Sequence, residues 1–252
     1  MQNDLQDILK VLKNYLEVDS FQDAAINGLQ VEGRPKIKSI ATAVSASLNV
    51  IKKAVNLKVD ALFVHHGVLW KGKEQVITGS FKSKLKLLLD SDISLFAYHL
   101  PLDAHEKIGN NFAAAKALGL TALEPFGYYQ GVPIGVKGIM KPCSRQEFQM
   151  RLEKFYGQSA HPALGGKEKV SSCAIVSGGA HKLILEAIAE GVDCYVSGSF
   201  DEPVWHQAFE GKINFFALGH AATEKIGIKL LGEKLKAEFG CKTTFIDEPN
   251  PF

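Results

Sequence analysis

The sequence predicts an α/β protein of two similar units that arose by internal duplication, residues 1–126 and 127–252. Three observations carry that prediction. Short apolar strand-like runs alternate with helical stretches, the pattern of a mostly parallel sheet covered by helices. The runs come twice in one order: Val44-Ser45 and Val176-Ser177 lie 132 residues apart, and Val59-Asp60 and Val192-Asp193 lie 133 apart. The tetrapeptide Glu-Lys-Ile-Gly then follows the third strand of each half, at Glu106–Gly109 and Glu224–Gly227.

The elements follow in order. Leu5, Ile8, Leu9, Leu12 and Leu16 form one apolar face, so Asp4–Leu16 is an amphipathic helix. Asn27-Gly28 is a turn leading into an edge strand. Ser39–Ser47 is the first strand and its turn, a helix runs to Ala54, and Val59–Val64 is a buried strand. About fifteen residues without counterpart in the second half begin at Gly67–Glu74 and continue into a helix. Ile93–Tyr98 is the third strand and Asn110–Leu118 a helix. Tyr128–Gly166, rich in proline and glycine, divides the halves. Within it Ile134–Met140 is a strand, and Ser144–Tyr156 a helix with Ser144 as N-cap and Glu147 at capping-box spacing. Ser172–Ala180, the helix to Ala189, Val192–Ser197, a helix from Pro203, Ile213–Leu218 and Ile228–Phe239 repeat the first half's order.

Net charge is +2, from 29 basic and 27 acidic residues, too balanced for a nucleic-acid or membrane footprint. No run of about 18 apolar residues exists, and the acidic amphipathic start lacks the basic residues of a secretory signal. The four cysteines have no CxxC pair and read as free and buried. A reducing cytoplasm is the expected compartment.

Ligands of open α/β sheets bind beyond the carboxyl ends of the strands. Three strand ends here carry metal-capable residues: His65-His66-Gly67, His99–His105 and Gly219–Glu224. Neutral imidazole is the commonest ligand for transition metals. Neighbouring strand residues face opposite ways, so His65 and His66 converge only where the ladder has ended and Gly67 lets the chain turn. His220 and Glu224 are four apart, one helical face if a helix starts near Ala221. Leu102 holds the place of His220 in the first half, with Asp103 beside it. His65, His66, Asp103, His220 and Glu224 thus supply three imidazoles and two carboxylates. Five ligands suit two cations about 3.5–4 Å apart, and the mixed set favours Zn, Mn, Fe, Co or Ni over Ca or Mg. Each residue also has an ordinary reading: Asp103 as a helix cap, Glu224 as a partner of a helix N-terminus, His220 as a polar strand end. His99 and His105 stand for proton transfer, for orienting Asp103, or for structure alone. His161, His181 and His206 read as structural, Trp70 as a wall of the cleft or simple packing, and Ser177-Gly178-Gly179 as a tight strand-to-helix turn whose phosphate-binding signal is weak without a fuller glycine-rich fingerprint.

Asn27-Gly28-Leu29-Gln30-Val31, His65-His66-Gly67, His99-Leu100-Pro101-Leu102-Asp103 and Gly219-His220 with Thr223-Glu224 resemble the motifs of the NIF-three-like family. Its members are often labelled GTP cyclohydrolase 1 type 2 homologues or dinuclear metal centre proteins. The resemblance runs over nearly the whole chain and is to the short bacterial branch. It implies a fold of two similar α/β/α units, a dinuclear metal site in the cleft between the halves, a ring-shaped homohexamer built from trimers, and the same five ligands, with Glu224 as bridge. Many members place an acidic residue where this chain has Ser45. The activity implied is a metal-dependent hydrolase, resembling GTP cyclohydrolase 1 type 2, that acts on a nucleotide or modified nucleotide. The competing reading is a non-catalytic, metal-stabilised ring that binds a protein or nucleic-acid partner, with the lysines between Trp70 and Lys86 as its basic patch or merely a solvated face.

Overall fold

A computed structural model describes residues 3–73 and 76–252. Met1 and Gln2 of the acidic start, and Glu74 of the first half's extra segment, lie outside the described residues. The first repeat runs β1 (Asn3–Asp4), α1 (Leu5–Tyr15), β2 (Gly28–Val31), β3 (Lys36–Ile37), β4 (Ser39–Ser45), α2 (Leu48–Asn56) and β5 (Ala61–His66). It continues with α3 (Gly79–Asp90), β6 (Ser94–Ala97), α4 (Leu100–Ala104), α5 (Asn110–Ala117) and β7 (Thr121–Tyr129). Then come β8 (Val132–Ser144), α6 (Arg145–Tyr156), β9 (His161–Leu164), β10 (Lys169–Ile175), α7 (Ile184–Ala189) and β11 (Cys194–Ser197). The chain ends with α8 (Glu202–Glu210), β12 (Asn214–Ala217), α9 (His220–Thr223), α10 (Lys225–Phe239) and β13 (Lys242–Phe245).

The chain forms two compact units: the described residues up to Leu102 with Gly227–Pro249, and Asp103–Ile226 with Asn250–Phe252. These are interleaved, where the sequence suggested a division at 126/127. The last helix and strand of the first repeat, α5 and β7, belong to the second unit. Most of α10, and all of β13, belong to the first. Hydrophobic periodicity marks such an arm as helix then strand, but which sheet edge it joins depends on contacts distant in sequence.

In the first unit the sheet order is β13-β4-β5-β6-β2. Its four inner and C-terminal strands are parallel, and β2 closes the edge antiparallel to β6. Side chains alternate across β5. Leu62 and Val64 join Val50, Ile51 and Ala54 of α2 and Leu88 of α3 in one core. On the sheet's other flank α10 comes close to β4, where a Cβ on Gly232 would lie 3.2 Å from Thr42 Cγ2. Helix α1 buries Leu5, Ile8 and Leu12 and is capped by Asp4, whose side chain accepts from Gln6 N at 3.1 Å.

In the second unit the order is β7-β8-β10-β11-β12-β9, with β10, β11 and β12 parallel. The proline- and glycine-rich divider opens with a hairpin of β7 and β8. Its two-residue turn, Gln130-Gly131, has φ of 50° and 81°, the mirror-image turn whose twist suits a hairpin. Helix α6 starts and stops as its sequence demands: Ser144 accepts from Glu147 N at 3.1 Å, and Gly157 ends it at φ 66°. Phe112, Phe148, Leu152, Val196 and Phe216 pack with Cys143, Cys173 and Cys194 in its core. All four cysteines are free and buried, and burial pushes their thiols up, so none is primed for chemistry.

The duplication is visible in register. Ile40 pairs with Ala61 and Cys173 with Cys194, each 21 residues on. Ala61 then pairs with Ser94, 33 on, and Cys194 with Asn214, only 20 on, so thirteen extra residues lie between β5 and β6. The loop hydrogen bonds repeat too. Asp60 accepts from Lys38 N, Ser39 N and Ser39 Oγ; Asp193 accepts from Ser171 N, Ser171 Oγ and Ser172 N. Burial opposes the charge of each carboxyl, but these donors prevail and hold both below the usual range. Among the described residues no helix is long and apolar enough to cross a membrane.

Candidate metal centre

The first unit gathers three histidines. Pairing of β5 with β6 ends at Val64 and Ala97, while pairing with β4 runs on to Ser45 and His66. The strand end therefore has one flank released. There the rings of His65 and His66 lie 4.7 Å apart at 59°, and His99, just past β6, lies 5.0 and 5.6 Å from them. One ring nitrogen from each of the three falls within 4.8 Å of the others, close enough to hold a metal ion.

Each ring is fixed through Nδ1. His65 Nδ1 donates to Tyr98 O at 2.9 Å; a carbonyl can only accept, so the proton sits on Nδ1 and Nε2 carries the lone pair. His99 Nδ1 donates to Asp23 Oδ1 at 2.9 Å. Burial resists the charge on Asp23, but His99, Asn27 and Ala25 N stabilise it and bring its pKa to about 2. His66 Nδ1 meets Ser45 Oγ at 3.0 Å. Ser45, the departure from the family pattern, is thus an orienting partner of a ligand candidate. Trp70 packs its edge on His99, 5.3 Å between centroids, and donates Nε1 to Gly67 O at 3.2 Å. A cavity of about 320 Å³ opens beside it with Lys73 and Lys84 on its wall.

The second unit has imidazole and carboxylate donors of its own. His220 opens α9, and its Nε2 lies 3.1 Å from Glu224 Oε1. The helix breaks at Glu224 before α10 begins, yet the four-residue spacing still brings the two side chains together. His220 Nδ1 meets Ser199 Oγ at 3.3 Å, and this contact turns Nε2 toward Glu224. Asp103 Oδ1 accepts from Asn110 Nδ2 and Ser177 Oγ, both at 2.8 Å. Asn111 ties the same turn, accepting from Ser177 N at 2.7 Å and donating to Ile134 O at 2.6 Å. Strand register places His220 opposite Leu100, not Leu102: Ala97 and Ala217 are equivalent, and the next helix of each repeat begins three residues later. Two residues of drift accumulate before Glu-Lys-Ile-Gly, which is why counting back from that tetrapeptide misplaced the match.

Sequence reasoning took Gly178 as part of a tight turn, without the space it leaves for Glu224. At φ 67° a Cβ there would lie 2.2 Å from Glu224 Oε1 and 3.2 Å from His220 Nε2. Only glycine leaves room for those donors, and the Ser-Gly-Gly run at a strand end was the available signal. Gly198 is as tight: its Cβ would meet Thr223 Oγ1 at 2.6 Å and Gly178 O at 2.7 Å. The imidazole and carboxylate donors with the glycine cradle suit a borderline divalent cation. His105 differs from the others. Its Nδ1 accepts from Lys107 N and Ile108 N at 3.2 and 3.3 Å, so its proton is on Nε2. His181 and His206 lie on Asp201 and Glu202 at 3.2 and 3.3 Å, and His161 stacks near Phe200.

Comparison with known proteins places this geometry. The profile of the family described as Duf34/NIF3 (NGG1p interacting factor 3) matches residues 3–251. A Chlamydia pneumoniae protein named GTP cyclohydrolase 1 type 2 homolog is 46% identical over 250 residues, covering 98% of each chain. The solved structure of protein ybgI, of unknown function, superposes with a TM-score of 0.94 at 36% identity, covering 99% of this chain and all of that one. TTHA1606 from Thermus thermophilus gives 0.92, also at 36%, with 99% and 100% covered.

Proposed function

This chain belongs to the Duf34/NIF3 family, and on that footing we propose that it is a metal-dependent hydrolase acting on a nucleotide or modified nucleotide. In this reading His65, His66, Asp103, His220 and Glu224 would hold two divalent ions of Zn, Mn, Fe, Co or Ni. The observation that supports it most is the anchoring of His65, His66 and His220 through Nδ1, which presents Nε2 of each. The nucleotide comes from the relative's name, GTP cyclohydrolase 1 type 2 homolog.

Two bound cations would supply Lewis acidity and a water whose pKa is brought toward neutrality. The remaining tasks are the protein's. Tyr98 O and Ser45 Oγ hold the two strand-end imidazoles, and Asn110 and Ser177 hold Asp103. Gly178 keeps the space that Glu224 occupies. His105, which carries its proton on Nε2, donates a hydrogen bond to the substrate in this scheme. The working form in this reading is a homohexamer, so light scattering in solution should give six times the 27.5 kDa chain mass.

The test is elemental analysis of purified protein, followed by a screen of nucleotides and phosphoesters after reloading with Mn, Zn, Fe, Co or Ni. Two equivalents per chain are expected, together with turnover that Glu224→Gln abolishes while the assembly persists. Turnover unchanged after complete demetallation would end the proposal, and an assembled, metal-loaded protein inert to every substrate would favour the scaffold reading.

A further inference from the structure

We infer that the cavity between the end of β5 and α3 is an anion site, in which Lys73, Ser80 and Lys84 hold a phosphoryl group of the substrate. The inference rests on the nucleotide reading proposed above and names the part of the substrate that the first unit binds without cleaving it.

The lysines between Trp70 and Lys86 read from the sequence as a basic patch or as a solvated face, and the structure sorts them. Lys71 donates to Asp23 O at 2.9 Å, and Lys86 pairs with Asp90 at 2.8 Å, one turn on along α3. Lys73 and Lys84 instead line a cavity of about 320 Å³. Its lining, among the described residues, includes neither an imidazole nor a carboxylate. Ser80 and Lys84 are four apart on α3, so hydroxyl and ammonium share one face and meet the same space. Lys73 reaches it from the segment before α3, with Nζ 5.5 Å from the centre of the Trp70 ring. Lys84 is half-buried, and burial pushes its ammonium down from the ordinary value against the opposing pull of Glu248. A phosphoryl group in the cavity would offset that cost with charge-assisted hydrogen bonds.

Two further observations give the site its direction. Trp70 also lines the cavity, and its ring lies 5.3 Å from His99 and 6.1 Å from His66 between centroids. A ligand anchored at the lysines therefore extends along the indole toward the strand-end imidazoles. Since the cavity itself has no metal-capable lining, the anchored phosphoryl is bound there and the reacting bond lies elsewhere in the ligand. The second repeat is an internal control. The equivalent segment after β11 also shapes a cavity, of about 380 Å³, but there Asp201 and Glu202 stand beside Phe200 and Trp205. A cavity at this place comes with the shared frame, whereas the pair of lysines is particular to the first unit.

The experiment uses the full chain as purified, with inorganic phosphate as the probe in calorimetric titrations at low ionic strength. Lys84→Ala should weaken phosphate binding by about 10- to 100-fold, the loss of a charge-assisted contact at a half-buried ammonium. Lys73 is exposed, so its variant reads the site without disturbing the core, and Lys73→Ala should weaken binding by about two- to fivefold. Lys84→Arg should keep most of the affinity, and Lys86→Ala, on the solvent face of α3, all of it. Parent affinity in either folded alanine variant would overturn the inference, and phosphate captured only by metal ions gives that result. An equal loss in Lys86→Ala, or no binding to the unaltered chain, would overturn it as well. Every readout is of binding. A chain that holds phosphate through Lys84 yet turns nothing over would sink the hydrolase alone, and an active enzyme indifferent to Lys84 would sink this subsite alone.

Discussion

The ends of β5 and β11 occupy one place in two copies of a fold, and they differ in almost every respect that matters for chemistry. By register His65 corresponds to Gly198 and His66 to Ser199. In the first unit the strand end presents two imidazoles. In the second it presents almost no side chain, and the space goes to α9, which carries His220 close in. Duplication thus preserved a frame, while the side chains at its strand ends diverged. Imidazoles gather in the first unit; in the second, Asp103 and Glu224 accompany the single His220.

Variants at matched positions can break this comparison, and the largest effects lie in the two cores. Phe96 and Phe216 are equivalent and fully buried. Phe96 stacks flat on Phe63 at 4.5 Å, whereas Phe216 meets Phe148 edge-on at 6.0 Å. Replacing either by Ala should cost roughly 3–5 kcal/mol in denaturant unfolding, with Phe96→Ala the more costly because it strands a stacked ring. Next come the glycines. Gly198→Ala drives a methyl against Thr223 Oγ1 and Gly178 O, and should cost about 1–3 kcal/mol and weaken metal binding with it. A fully stable, metal-competent Gly198→Ala chain would show that β11 is not held tight for α9.

Asp60→Asn and Asp193→Asn should each cost about 1–3 kcal/mol, to a similar degree, because each carboxylate accepts from two backbone N–H groups and one serine hydroxyl and pairs with one cation, Arg34 or Lys167. Their folded pKa values are lowered, so their contribution is whole above the unfolded value near 4 and fades as pH falls through the folded one. Urea midpoints compared at pH 7 and pH 3 should fall less in the Asn variants than in the parent. Unequal costs at pH 7 would mean that the two loops have diverged. The smallest effect is at the serines behind the histidines. Ser45→Ala and Ser199→Ala should each weaken Zn²⁺ binding by at most about tenfold, some 1.4 kcal/mol, the former more because its contact is 3.0 Å against 3.3 Å.

Much of the fold was legible beforehand because its signals are local. The apolar stripe of α1, the Ser144 cap and the alternation of strand with helix follow from periodicity and side-chain chemistry over a few residues. The β7–β8 hairpin was obscured because prolines and glycines in a strand pair resemble those of a linker. At the site, residue types at strand ends pointed to the adjacent pair His65 and His66 and to the pair His220 and Glu224, each of which lies side by side in its own unit. The space at Gly178 was missed because a glycine announces only the absence of a side chain, and its importance lies in what another element places there. Asp23 was missed because its partner is 76 positions away.

By itself the sequence determined that this is a doubled α/β chain with imidazoles and carboxylates at its strand ends. Pattern and composition suffice for that, since both act within one element or between equivalent ones. Only the tertiary structure decided which unit each repeat's last helix and strand would join, and so that Asp103 would meet Ser177. It alone set the tautomers as well. A ring's proton goes where its nearest acceptor lies, and for His65 and His99 that acceptor is brought by residues 33 and 76 positions distant.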